Sequence, residues 1–164
     1  MAVRRCDPPT PRPTVCERNR LAIALEYSAE RQDKSLARAL AAARTAENNR
    51  GRDIVVLDLR ELTTMCDYFV LATGTSRRQL HAISEEIDDV LERDFNDHRM
   101  GIEGYAESRW ILLDFGDVVV HLFDAETRDY YSLEQLWAGC RRVPLEGTVA
   151  APLPANSAEL KVTH

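Results

Sequence analysis

Apolar residues recur every three or four positions between Ser76 and Phe95: Leu80, Ile83, Ile87, Val90 or Leu91, and Phe95 itself. That spacing predicts an amphipathic helix of roughly five turns. Ser76 and Gln79 supply a capping box at its start, serine oxygen to the third amide and glutamine back to the cap amide. Glu85, Glu86, Asp88, Asp89 and Glu92 fall on the outer side and read as a solvated acidic face. An alanine-rich segment, 35–47, places Leu36, Leu40 and Ala43 at helical spacing, with Asp33 or Ser35 as cap. Residues 48–51, Asn-Asn-Arg-Gly, end it, Gly51 being suited to a left-handed turn. Segment 21–27 reads either as a short helix or as more of the N-terminal extension.

Other apolar runs are strand-like. DIVVLDLR at 53–60 has four consecutive apolar residues and reads as a strand buried on both faces. YFVLA at 68–72 is a second strand, and 102–105 a short one. Segments 109–114 and 117–123 form an antiparallel hairpin around Phe115-Gly116. Arg128, Tyr130 and Tyr131 follow in a loop, and Ser132–Gln135 offers a second capping box for a short helix that Gly139 stops. The order of helices and strands predicts a mixed α/β domain around a central sheet.

A two-residue loop at Phe115-Gly116 pairs Asp114 with Asp117, Leu112 with Val119, and Trp110 with His121. Strand alternation then puts Trp110, Leu112, Asp114, Val119, His121 and Phe123 on one face. Ile111, Leu113, Val118, Val120 and Leu122 make an aliphatic core face opposite. His121 reads first as a partly buried histidine bonded to a carboxylate or tyrosine, then as an interface residue, and last as a base or metal ligand. A base needs a proton donor within about 3 Å, and no serine or cysteine is clearly placed to be one. Asp114 and Asp117 most simply accept from turn amides; the alternatives are a magnesium ion or a partner's arginines. Tyrosine, tryptophan and arginine are common interface anchors, so Arg128, Tyr130, Tyr131 and Trp137 are candidates for recognition as well as for packing.

Charge sharpens this choice. Residues 1–52 carry a net +5, residues 53–140 a net −12 and residues 141–164 a net +1. The acidic body repels phosphates and suits a basic protein partner. Residues 1–30 are expected as a flexible extension, 31–143 as the folded domain and 144–164 as a flexible tail. No run approaches the roughly 18 apolar residues of a membrane span. Cysteines 6, 16, 66 and 140 show neither CxxC nor zinc spacing, which points to a reducing cytoplasm. The four histidines have no zinc spacing either. Thr73-Gly74-Thr75-Ser76 joins a strand to a helix start, a geometry able to hold an anion, but it lacks a glycine-rich fingerprint. Asp114-Phe115-Gly116 matches a kinase triplet by coincidence, since the other kinase elements are missing. No cofactor or metal is expected.

Three spaced blocks carry a family resemblance: DIVVLDLRELTTMCDYFVLATGTSRRQLHAISEEIDDVLE at 53–92, EGYAESRWILLDFGDVVVHLF at 103–123, and RDYYSLEQLW at 128–137. Together they resemble the ribosomal silencing factor (RsfS, Iojap-like) family over residues 35–143. The resemblance implies an α/β/α sandwich around a mixed sheet, nucleotidyltransferase-like but without a catalytic carboxylate set. It implies a cytoplasmic, non-enzymatic translational repressor, homodimeric when free. By this likeness it binds protein fourteen of the large ribosomal subunit and blocks joining of the small subunit in nutrient limitation or stationary phase. Large-subunit assembly is the alternative role and nucleotidyl transfer a remote one; contact with rRNA is left to the tails. The positions expected at the partner surface are Trp110, Asp114, Asp117, His121, Arg128, Tyr130, Tyr131 and Glu134, with Asp67, Thr75 and Ser76 at strand ends.

Overall fold

A computed structural model describes residues 15–145, with side chains from Ala29 onward. Its elements are α1 (Val15–Asn48), β1 (Arg52–Asp58), β2 (Tyr68–Thr73), α2 (Arg77–Phe95), β3 (Gly101–Glu103), β4 (Trp110–Asp114), β5 (Val118–Phe123), α3 (Ala125–Tyr131), α4 (Leu133–Leu136) and β6 (Arg141–Val143). The strands form one sheet in the order β3-β4-β5-β2-β1-β6. It is mixed: β2 and β5 run parallel, and every other neighbouring pair is antiparallel. Residues 1–14 and 146–164, which hold much of the two expected extensions, lie outside the described residues.

Strand alternation divides the core in two. Val56, Tyr68, Val70, Ile111, Leu113, Val118, Val120 and Leu122 point to the side covered by α1 and α2. There they meet Leu80, Ile83, Ile87 and Leu91 of α2, all fully buried at the predicted helical spacing. Fully burying each such side chain stabilises the fold by about 1.5–3 kcal/mol. Ala39, Ala42, Ala43 and Ala46 of α1 are small enough for that helix to lie close against its neighbours. The opposite side gathers Leu57, Leu59, Cys66, Phe69, Leu71 and Phe123, covered by Leu133 and Trp137 from the last short helix and its end. Because β2 is central, all six of its residues are buried.

Several local expectations change. α1 starts at Val15, well before the alanine-rich segment, because no proline or glycine interrupts residues 14–50. Asp33 and Ser35 therefore lie inside the helix and cap nothing; the Ser35 hydroxyl donates to the Arg31 carbonyl at 3.0 Å. At its end Arg50, not Gly51, takes the left-handed conformation (φ 61°). Gly51 is needed for proximity, since a Cβ there would meet the Ala46 carbonyl oxygen at 2.8 Å. At α2 the Ser76 side-chain oxygen accepts from the Gln79 backbone amide as expected, but the Gln79 side-chain Oε1 accepts from the Thr75 amide, at 2.7 Å, one residue before the expected cap amide.

The hairpin register differs from the expected one by two residues. Trp110 opposes Phe123, Leu112 opposes His121, and Asp114 opposes Val119. The turn centres on Gly116 (φ 80°), where the Asp117 amide donates to the Phe115 carbonyl in a γ-turn. A two-residue offset preserves side-chain parity, so both predicted faces survive.

The 124–137 segment also departs from expectation. Residues 125–131 form a helix, not a loop, whose N-cap Asp124 accepts from the Thr127 amide at 2.7 Å. Ser132 sits left-handed (φ 44°) between α3 and α4, makes no capping bond, and donates to the Asp129 carbonyl, so the expected second capping box does not form.

Candidate functional site

Trp110 opens β4 at the rim of the less covered side and is half-buried. Its ring stacks on Phe123 at 5.0 Å and leans on Tyr131 at 4.8 Å, and Tyr130 meets Tyr131 edge-on at 5.0 Å. Tyr130 is 82% exposed and Tyr131 49%. A run of aromatic surface thus leads from the sheet to the outside of α3.

His121 lies beneath this run, with the Phe69 ring edge-on at 4.6 Å. The Trp110 indole N–H donates to His121 Nδ1 at 3.2 Å, across the diagonal of the hairpin. Indole nitrogen is only a donor, so Nδ1 is unprotonated and the neutral ring carries its hydrogen on Nε2. Burial, with Arg128 adding to it, pushes the ring's pKa down to about 4. Nε2 is buried with no hydrogen-bond partner among the described residues. His121 therefore orients Trp110, and its bonded neighbour is an indole, not the expected carboxylate or tyrosine.

Arg128 is buried despite its charge, because it closes the segment onto the sheet. Its guanidinium donates to Glu134 from Nε (2.9 Å) and Nη2, to Thr73 Oγ1 at 3.0 Å and to the Asp53 carbonyl at 2.7 Å. Asp53 is itself left-handed (φ 48°) at the irregularity near the start of β1. Arg128 and Glu134 thus join α3, α4, β1 and β2, and their charges are spent inside the chain.

The two turn aspartates separate. Asp114 accepts from the Gly116 amide at 2.8 Å, the expected turn bond. Asp117 instead meets α1: Arg31 at 2.5 Å, Arg38 at 3.1 Å and Ser35 at 3.4 Å. The Arg31 guanidinium, helped by Arg38, holds the Asp117 carboxyl below the usual range. Arginines do find this carboxylate, but they belong to the chain itself. Thr75 and Ser76 are engaged at the α2 cap, and the Asp67 amide donates to the Asp117 carbonyl at 2.8 Å, tying the start of β2 to the hairpin.

A cleft of about 480 Å³ lies beside the aromatic run, between the segment before β4 and α3. It brings Glu107, Arg109 and Glu126 to Trp110, Tyr130 and Tyr131, three charged residues that reading the sequence did not select. The sequence signal was Asp124-Ala125-Glu126-Thr127, a helix start that would have turned Glu126 and Tyr130 toward one side. Gly104 lies against the strand here: at φ 69°, a Cβ would sit 2.0 Å from the Trp110 carbonyl oxygen. Burial pushes the Cys66 thiol up to about 11 and raises Cys140 as well, so neither is an activated nucleophile. Among the described residues no three His, Cys, Asp or Glu side chains are grouped to hold a metal ion, and no helix is long and apolar enough to cross a membrane.

The family model described as "Ribosomal silencing factor during starvation" matches residues 32–163. The chain is 42% identical over 96 residues to the ribosomal silencing factor RsfS of Bacillus subtilis, covering 58% of this chain and 80% of that one. It is 39% identical over 88 residues to the mouse "Mitochondrial assembly of ribosomal large subunit protein 1", covering 52% and 39% respectively. The crystal structure of a Chromobacterium violaceum protein aligns with a TM-score of 0.60 at 33% identity, over 71% of this chain and 96% of that one.

Proposed function

The chain belongs to the ribosomal silencing factor family, and we propose that it binds the large ribosomal subunit through that subunit's protein fourteen and sterically blocks the small subunit. Like its family, it is a binding protein and not an enzyme. The observation that carries the reading is the aromatic run that leads from half-buried Trp110 through Tyr131 to exposed Tyr130, set at the rim of the sheet within the matched region. Large aromatic side chains held in place by packing lose little freedom on binding and anchor protein interfaces. The net −12 of residues 53–140 favours a basic ribosomal protein over bare RNA. A steric block needs affinity and bulk only; nutrient limitation is the condition in which it serves the cell.

Co-sedimentation tests this directly. The purified protein should travel with isolated large subunits at physiological salt and reduce their joining to small subunits. Tyr131→Ala should weaken binding by about 2 kcal/mol while the thermal transition stays cooperative. Absence of wild-type protein from the large-subunit fraction would overturn the proposal. A role in large-subunit assembly is the second reading, favoured by the name of the mouse relative. It is separated by deleting the gene: precursor particles should accumulate under assembly, and mature subunits should remain under silencing.

A further inference from the structure

We propose that the cleft between Glu107 and α3 seats a basic side chain, an arginine or lysine, projecting from the partner protein. The inference rests on the reading that the aromatic face docks on a ribosomal protein, and names the chemistry of one contact there.

Three observations converge. The cleft is walled by Trp110, Tyr131 and the exposed Tyr130, whose ring faces attract a cation and pack along its alkyl stem. Carboxylates outnumber cations around it. Glu107 and Glu126 line the cleft and Asp124 stands behind Arg109, against Arg109 itself and Arg77, which donates to the Ala106 carbonyl at 2.6 Å. Finally, the site already holds one guanidinium: Arg109 lies 3.1 Å from Asp124 and 2.6 Å from Glu126. Glu126 is 85% exposed in its side chain, so it can meet a second cation without losing the first. A phosphate would face those carboxylates, and a purely apolar side chain would leave Glu107 and the exposed side of Glu126 unused. The buried Trp110–His121 bond holds the indole wall in place, making His121 a positioning residue for the cleft.

The test titrates the full chain with N-acetyl-arginine amide and follows the Trp110 indole N–H by NMR, assigned by its loss in Trp110→Phe. N-acetyl-norleucine amide and AMP are the neutral and nucleotide controls. Saturable shifts in the millimolar range with the arginine probe alone, abolished in Glu107→Gln/Glu126→Gln, support the seat. Equal shifts with norleucine, stronger shifts with AMP, or an unaltered response in the double variant overturn it. On isolated large subunits the double variant should bind about tenfold more weakly, with a shallower salt dependence. Wild-type binding matched by the double variant sinks the seat and leaves the ribosomal reading standing. No binding by wild type sinks the ribosomal reading, while the arginine titration still decides whether the cleft takes cations. A melting curve of the double variant unchanged from wild type separates lost contact from lost fold.

Discussion

The two faces of the sheet are made by the same strands in alternation, yet they are covered differently. Ile111, Leu113, Val118, Val120 and Leu122 are fully buried beneath two long helices, and the contacts there are aliphatic. Their neighbours Trp110, Leu112, Val119, His121 and Phe123 face a side closed by two short helices, α3 and α4, and the last of these carries Leu136 73% exposed. One face has its apolar area removed from water by the chain itself. The other keeps rings and a buried imidazole under a partial cover whose outer surface remains open. Stability is concentrated on the first and freedom to recognise on the second.

Leu113→Ala on the aliphatic face should be the most damaging change, costing about 4 kcal/mol in urea unfolding, because the surrounding helices cannot collapse into the space. A cost near that of an exposed site would break the contrast. Arg128→Ala should cost about 3 kcal/mol, since it leaves Glu134 and the Asp53 carbonyl without their buried partner. Arg128→Lys should recover little, because an ammonium cannot span Thr73, Asp53 and Glu134 together.

Acid should act next, and through the aromatic face. His121 titrates near its ordinary value of 6.5 when unfolded and at about 4 when folded, so the unfolded chain binds more protons in between. Its contribution to stability is complete above 6.5 and falls as pH drops toward 4, by about 2 kcal/mol at pH 5. His121→Asn should flatten that part of the stability profile; a slope unchanged from wild type would contradict the burial argument. Asp58 and Asp117, held low by Arg60 and Arg31, act in a separate window, contributing above the ordinary carboxylate range and losing that contribution as pH falls through their lowered values. The smallest effect belongs to Tyr130→Ala, within about 0.5 kcal/mol in thermal unfolding, since the ring is mostly in water.

Much of this contrast was legible before the structure. Period-two alternation assigned every hairpin residue to its correct face even though the pairing was displaced by two, because parity is insensitive to an even offset. The helical period found the buried stripe of α2 for the same kind of reason. The candidate site was less legible. Trp110, Tyr130 and Tyr131 come together at the open face, and Thr75 and Ser76 are taken up at a helix cap. Asp117, Arg128 and Glu134 are consumed by partners 79, 55 and 6 residues away, a separation that spacing along the chain cannot reveal in the first two.

Local sequence determined the elements and their inward faces, because side-chain periodicity is a property of the backbone within a few residues. Its three blocks were also enough to indicate the family, which the match over residues 32–163 bears out. Tertiary structure alone decided which polar groups remain available. Whether an arginine or aspartate faces water or a buried counter-charge depends on strands and helices distant in sequence, since a charge taken from water persists only where the fold brings it a partner.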